Sequence, residues 1–354
     1  MFRSKRWAPR FATAILACLL AAPLLAVAGD LVPGLRLPLA GELAWPLDLA
    51  VAGDGTVYVL GRDAADRGYT VVQFDADGHR RRSFGGEHLY APLRVAVTDA
   101  GRIVVSEICR QPDCRAALVV FGPSGRRERV VDLPRGTVTD LASFGGELVG
   151  MVTQYMAPDG AHLGYRLVDV ASGTVRSARE HLLPSAGVDR LQIQKAPSME
   201  NCLRDVFLAP LPGGRFVAGY SGRNELLVFG EDGERVGRIS LPAYRPRLLT
   251  ARAAAAEWDA EEIARDAGRA YRGDERCGYF RGITPLGDGK VLLAGRGERD
   301  GRALGLAVGA DGRVAGQWTA PCELNWALGV RGNRAWGICQ EPGGDYVLRR
   351  FAVH

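Results

Sequence analysis

The sequence predicts an all-β fold built from six repeated units, each a small sheet of four strands. A pair of short apolar strands joined by a glycine turn, from Pro46 to Val59, recurs 46 residues later from Pro92 to Val105. Between the copies lie further hairpins with Asp-Gly or Ser-Gly turns, such as the one that begins at Val71. Small twisted sheets bury both faces only when neighbours stack around an axis, so these observations predict a six-bladed β-propeller.

Four weaker copies of the first pattern complete the set of six units. They begin at Val138, Leu203, Phe280 and Asn325. The sixth unit has only three predicted strands, and an unassigned strand-like segment, Leu35 to Ala40, precedes the first unit. We therefore expect this N-terminal segment to be the outer strand of the sixth blade and to close the ring.

The repeated pattern P-x-x-x-A-V-x-x-x-G-x-V-x-V resembles the NHL repeat. The match is good in the first two units and partial in the others, and the repeats cover nearly all of the chain after residue 28. The resemblance implies a six-bladed propeller that is often used for binding. It implies no set of catalytic residues, because NHL propellers share no single chemistry.

The first 28 residues have the features of a secretory signal peptide. Four basic residues precede an apolar run from Phe11 to Ala26, and Ala26-Val27-Ala28 is an A-x-A cleavage site. The run is too short to span a membrane. We expect cleavage after Ala28 rather than lipid anchoring at Cys18, where the lipobox is only partial. The predicted product is a single domain, residues 29–354, that is periplasmic or secreted and has no transmembrane span.

Charge and cysteines narrow the possible partners. Without residues 1–28, 41 basic residues face 40 acidic ones, so nothing favours nucleic acid as a partner. Six cysteines in an exported chain predict three disulfides, and no histidine lies close enough to them to indicate a zinc site. The preferred pairing is Cys109 with Cys114, Cys202 with Cys277, and Cys322 with Cys339.

The long insertions all fall at one end of the predicted ring. If the strands of each blade are named A to D from the axis outward, the A–B and C–D turns are short, whereas the D-to-A crossings include residues 181–202 and 243–278. Within the second insertion, Ala251 to Tyr271 predicts a helix. The cysteines fall at the same end. We call this end the loop-rich face and expect it to bind a protein, peptide or glycan. The alternative is that the loops merely plug the channel.

Alignment of the A strands predicts a set of residues at the loop-rich mouth of the axis. The aligned residues are Asp48, Arg94, Asp140, Asp205, Gly282 and Ala327. The ligand-binding candidates are Asp48, Arg94, Asp140 and Asp205, together with the nearby Arg281 and Trp326. Trp45, Tyr279 and Phe280 are further aromatic candidates near the mouth. The alternative roles are local capping or ion pairing for the charged residues and core packing for the aromatic ones.

Two functions remain open from the sequence. A non-enzymatic binding module without a cofactor is favoured, because no nucleophile elbow, dinucleotide loop, P-loop or zinc-protease motif occurs. The alternative is a calcium-dependent hydrolase, because Glu42 to Trp45 faintly resembles the start of regucalcin and gluconolactonase propellers. That resemblance implies a metal site, for which Asp48, Asp140 and Asp205 are the candidates, but no asparagine lies in the matching register.

Overall fold

The computed structural model describes most of the chain after residue 30. The described residues are 31–65, 67–110, 115–133, 136–157, 160–183, 206–221, 223–241, 280–286, 289–299, 302–309, 311–320, 322–341 and 344–352. The predicted signal peptide and the predicted helix of residues 251–271 lie outside these ranges. No helix in the described ranges is long and apolar enough to cross a membrane.

Within the described ranges, 24 strands form six antiparallel sheets of four strands. Blade 1 consists of β2 (Leu43–Val51), β3 (Val57–Asp63), β4 (Tyr69–Phe74) and β5 (Arg80–Phe84). Blade 2 consists of β6 (Pro92–Val97), β7 (Ile103–Arg110), β8 (Arg115–Phe121) and β9 (Arg127–Asp132). Blade 3 consists of β10 (Thr137–Gly145), β11 (Leu148–Ala157), β12 (Gly160–Asp169) and β13 (Thr174–Leu183).

The second half of the chain repeats this order. Blade 4 consists of β14 (Val206–Leu211), β15 (Arg215–Tyr220), β16 (Glu225–Gly230) and β17 (Arg235–Ser240). Blade 5 consists of β18 (Phe280–Pro285), β19 (Lys290–Arg299), β20 (Arg302–Gly309) and β21 (Val314–Ala320). Blade 6 consists of β22 (Glu323–Arg331), β23 (Arg334–Gln340), β24 (Tyr346–Ala352) and the N-terminal β1 (Val32–Pro38).

The ring is closed by pairing of the two ends of the described chain. Strand β1 pairs antiparallel with β24, with Leu37 opposite Leu348. The closure predicted from Leu35 to Ala40 is therefore confirmed, although the observed strand begins earlier, at Val32. The innermost strands contact one another in a closed cycle, because β2 touches both β6 and β22. The six-bladed propeller predicted from the repeats is confirmed.

The hydrophobic core is divided among the six boundaries between blades. Each boundary holds one cluster of buried apolar side chains. At the boundary of blades 6 and 1, for example, fully buried Trp336 and Leu348 pack with Val59. Among the described residues, no blade has a hydrophobic cluster of its own, which is the physical reason for the radial arrangement.

Glycines with positive φ form the tight turns of the end opposite the loop-rich face. Gly78 and Gly125 adopt φ values of 89° and 79° in the C–D turns of blades 1 and 2. Side chains rarely tolerate this left-handed region. These turns also touch the preceding blade, because a Cβ at Gly125 would lie 2.9 Å from the ring of Phe84 in blade 1.

Arginines on strand D of blades 1 and 2 and on strand C of blade 6 connect neighbouring blades at this end of the ring. Each donates hydrogen bonds from its guanidinium to backbone carbonyls in the C–D turn of the neighbouring blade. The pairs are Arg82 with Pro123 and Ser124, Arg129 with Ser172, and Arg350 with Ala76.

Replacement of Arg82 with alanine should lower the free energy of unfolding by about 1–2 kcal/mol, because charge-assisted bonds to two carbonyls are lost. Chemical denaturation measures the change. Arg81→Ala is the matched control, since the neighbouring Arg81 is largely exposed and pairs with Asp75 on its own blade. Equal effects of the two substitutions would show that Arg82 does not connect the blades.

Candidate functional site

A channel of about 150 Å³ runs along the axis of the ring. Each of five blades lines it with four consecutive residues of strand A, and blade 4 contributes two. The segments are residues 48–51, 94–97, 140–143, 207–208, 282–285 and 328–331. The first residue of each segment lies nearest the loop-rich face, because every A strand begins there. We call these six residues the first layer: Asp48, Arg94, Asp140, Phe207, Gly282 and Leu328.

A β-bulge precedes the first layer in blades 1, 2, 3 and 5. In blade 1 the register shifts between Pro46 and Asp48, and the equivalent shift occurs once in each of the other three A strands. A bulge adds a residue to one strand and changes the direction of the side chains that follow. The repeated bulge therefore marks the level at which the A strands enter the channel.

Strand pairing corrects the sequence alignment in blades 4 and 6. Phe207 pairs with Gly219 just as Arg94 pairs with Ser106, so Phe207 occupies the first layer where Asp205 was expected. Leu328 replaces the expected Ala327 in the same way. In blade 6 the A–B hairpin is shorter, because Leu328 pairs with Gly337. In blade 4 the A and B strands pair without the register shift that precedes the first layer in blades 1, 2, 3 and 5. Asp205 itself lies outside the described residues.

Asp48 and Asp140 hold adjacent blades together. The Oδ2 atom of Asp48 accepts the backbone N–H of Val95 in blade 2 at 2.9 Å. In the same register, Oδ2 of Asp140 accepts the backbone N–H of Leu208 in blade 4 at 2.7 Å. Backbone N–H groups at this level face the neighbouring blade rather than a strand partner, so each carboxylate satisfies a donor across a boundary.

Arg94 lies between these two carboxylates but is positioned toward blade 3. Its Nε donates to the carbonyl of Thr139 at 3.0 Å and lies 3.8 Å from Oδ1 of Asp140. Its own backbone N–H donates to the Oγ of Ser106 at 3.1 Å. The structure thus brings together Asp48, Arg94 and Asp140, as the sequence predicted, but all three also join blades.

Burial raises the pKa of Asp48 from its ordinary value of 3.8 to about 6. The positive charge of Arg94 and the backbone N–H groups of Val95 and Leu49 lower it, but they offset only part of the cost of burying a carboxylate. Asp48 therefore changes charge near pH 6.

The remaining sequence-predicted candidates are Arg281 and four aromatic residues. Arg281 lies on β18 immediately before Gly282, and Trp326 lies on β22 between the paired residues Leu324 and Leu328, but neither side chain is among those described. Phe280 is buried, with its ring centroid 6.0 Å from that of Phe207, so it packs in the core. Trp45 is half-buried at the start of β2, and Tyr279 lies outside the described residues.

The observed acidic residues do not fit a calcium site. Calcium requires six to eight oxygen ligands, whereas Asp48 and Asp140 each already bind a backbone N–H and are accompanied by Arg94. Within the described ranges, no group of three or more His, Cys, Asp or Glu residues is arranged to hold a metal ion. The third proposed ligand, Asp205, is not described.

Sequence reasoning missed two features of the mouth and channel. Thr284 donates its hydroxyl proton to the carbonyl of Leu328 at 2.7 Å and so joins blades 5 and 6. Tyr90 precedes β6 at the loop-rich face, with half of its surface exposed (50%). Its backbone N–H donates to Oε1 of the buried Glu107 at 2.6 Å, which fixes the chain beneath the exposed ring. The signal for Tyr90 was a lone aromatic residue before an A strand.

The loop-rich face is uneven because three B–C hairpins extend past the start of their A strands. Beyond the residue that pairs with the first residue of strand A, strand B continues for three residues in blades 2 and 3 and for four in blade 5. This extension is roughly 10–13 Å long. In blades 1, 4 and 6, strand B ends opposite the start of strand A. The three long hairpins end at Arg110, Ala157 and Arg299.

A disulfide lies at the same face. Cys322, on the crossing from blade 5 to blade 6, is bonded to Cys339 at the end of strand B of blade 6, and their Cα atoms are 5.7 Å apart. This pairing was predicted from the sequence and is confirmed. The predicted pairs Cys109 with Cys114 and Cys202 with Cys277 fall on side chains outside the described set.

The fold and this site define a six-bladed β-propeller with a polar channel mouth. No protein-family model and no curated protein match the sequence. Among solved structures, the chain is similar to a streptogramin B lyase, with a TM-score of 0.49 and 10% sequence identity, over 90% of this chain and 97% of that one. It is also similar to a virginiamycin B lyase from Staphylococcus aureus, with a TM-score of 0.49 and 10% identity, over 90% and 99%.

A member of the DUF4221 family from Bacteroides vulgatus shows the same level of similarity. Its TM-score is 0.49 at 14% identity, over 92% of this chain and 98% of that one. These similarities concern the architecture alone and carry no statement about activity.

Proposed function

We propose that the chain is an exported binding module of the NHL-like kind, whose loop-rich face receives a protein, peptide or glycan. The observation that carries the proposal is the difference between the two ends of the ring. One end consists of tight glycine turns, whereas long hairpins, a disulfide and the charged mouth of the channel occupy the other. Binding groups concentrate on extended loops that a rigid scaffold positions.

Two details support this face in particular. Tyr90 exposes an aromatic ring on a backbone that Glu107 holds in place, which suits stacking against a sugar or a peptide side chain. The disulfide between Cys322 and Cys339 is typical of proteins that fold outside the cytoplasm. It therefore agrees with the signal peptide predicted for residues 1–28.

Peptide and glycan arrays test the proposal. The mature protein should bind a restricted set of probes, and Tyr90→Ser should weaken that binding at least about tenfold, as expected for an aromatic residue at the centre of an interface. Val236→Ser is the matched control. Val236 is similarly exposed (61%) but lies on the outer strand β17, away from the loop-rich face. The proposal fails if no probe binds or if both substitutions weaken binding equally.

A further inference from the structure

The first layer of the channel is polar on one half and apolar on the other. Blades 1 to 3 contribute Asp48, Arg94 and Asp140, whereas blades 4 to 6 contribute Phe207, Gly282 and Leu328. A ligand that fills this mouth must therefore present a polar group to one side and an apolar surface to the other.

The polar half favours a cation. Nε of Arg94 lies 3.8 Å from Asp140 and donates to a carbonyl of blade 3. Asp48, on the other side, accepts the backbone N–H of Val95, and no ion pair joins it to another described residue. The charged side chains described in this half are two carboxylates and one guanidinium, and the positive charge of Arg94 offsets only part of the cost of burying Asp48. A cationic ligand beside Asp48 would stabilise its negative charge further.

The apolar half includes Gly282 of the first layer, which has no side chain. At the next residue level the space beside Gly329 is filled by Val51, because a Cβ at Gly329 would lie 2.3 Å from Cγ2 of Val51. Leu208 and Ile283 line the channel below. An engineered apolar cavity of about 150 Å³ in another protein holds benzene, so a ring or a short alkyl group fits a channel of this volume.

We propose that the mouth binds a small organic cation, with its ammonium group at the carboxylate of Asp48 and its apolar body against Phe207 and Leu328. The opposite end of the channel fixes the orientation. The exposed side chain of Arg331 lies there, with its Nε 3.4 Å from the carbonyl of Val51. Its positive charge would repel the ammonium group of a ligand bound in the reverse orientation. This inference rests on the proposed function, since it names a ligand class for the same face.

Isothermal titration calorimetry with 2-phenylethylamine tests the inference. We expect binding of this amine, and at least about tenfold weaker binding of the neutral 2-phenylethanol and the anionic 3-phenylpropionate. Asp48→Asn should reduce the affinity for the amine at least about tenfold, because it removes the charge but keeps an oxygen acceptor for Val95. Glu42→Gln is the control, since Glu42 is an acid near this face that pairs with Arg80 outside the channel.

Two further measurements separate the alternatives. Gly282→Val should block the apolar half and abolish binding of the amine without unfolding the protein. The affinity of the wild-type protein for the amine should also fall as pH decreases through about 6, because Asp48 becomes protonated. Arg94 and Asp140 are the other charged groups described in the first layer. A free amine and the N-terminus of a peptide both carry an ammonium group. If the site takes a peptide N-terminus, the peptide Phe-Gly-Gly should bind and its N-acetylated form should not.

Equal binding of the amine and the alcohol, or full affinity in Asp48→Asn, would overturn the inference. If array binding depends on Tyr90 while the amines do not bind, the proposed function stands and only the ligand class is wrong. If the amines bind while the arrays give no Tyr90-dependent probe, the mouth is a small-molecule site and the proposed macromolecular function is wrong.

Discussion

A chain without residues 31–38 should lose at least about 4 kcal/mol of unfolding free energy, the largest effect expected here. The deletion removes the buried Leu31 and the partly buried Leu35 and Leu37, and it uncovers Leu348 and Phe351 beneath them. Each buried leucine contributes about 1.5–3 kcal/mol. The deletion also leaves β24 as an unpaired edge. Thermal and urea denaturation of the truncated mature protein measure the loss.

A synthetic peptide of residues 29–40 tests whether strand pairing is the cause. Added to the truncated protein, it should raise the melting temperature with the logarithm of its concentration once that exceeds the Kd, because it binds only the folded ring. Arg36→Ala in the full chain should have a small effect, because the ion pair of Arg36 with Glu341 is exposed. A truncated protein that melts like the full chain would show that β1 does not hold the ring closed.

Asp48→Ala and Asp48→Asn should change stability in opposite directions at pH 7.5. Alanine leaves the backbone N–H of Val95 without an acceptor at a blade boundary, which costs about 1–3 kcal/mol. Asparagine keeps an acceptor and removes a buried charge. Because the pKa of Asp48 is raised to about 6, the ionised carboxylate disfavours folding, so Asp48→Asn should be more stable than the wild type by up to about 3 kcal/mol.

The stability difference between Asp48→Asn and the wild type should depend on pH. The folded state binds the proton of Asp48 more tightly than the unfolded chain does. The stability contributed by the protonated form is therefore present below about pH 4 and is lost as pH rises through about 6. Urea denaturation at pH 4.5 and 7.5 should show a smaller advantage of Asp48→Asn at the lower pH. An asparagine variant that is less stable than the wild type at pH 7.5 would contradict the raised pKa.

The sequence was sufficient to predict the fold because its determinants are local and repeated. Glycine turns such as those at Gly78 and Gly125 recur between short apolar strands, and they fix the number of strands in each blade. The closing strand was also predictable, because the sixth unit had only three strands and the N-terminal segment could provide the fourth. The NHL resemblance itself remains a prediction, because the architecture does not distinguish that repeat from other six-bladed propellers.

The site was only partly predictable because its register depends on turn lengths and on contacts between blades. Phe207 and Leu328 occupy positions where the sequence had indicated Asp205 and Ala327, because blade 4 lacks the register shift and blade 6 has a shorter A–B hairpin. The bond from Asp48 to Val95 spans 47 residues and exists only after the blades pack. The length of each extended hairpin depends on the residue at which its two strands stop pairing. The composition of a loop does not reveal that residue.

The clasp between the first and last strands also constrains how the molecule is made. Leu37 is synthesised early, but its partner Leu348 emerges more than 300 residues later. The first strand must therefore wait, unpaired, while five complete sheets form in between. Joining such distant segments carries an entropic cost, so ring closure is expected to be the last and slowest step of folding.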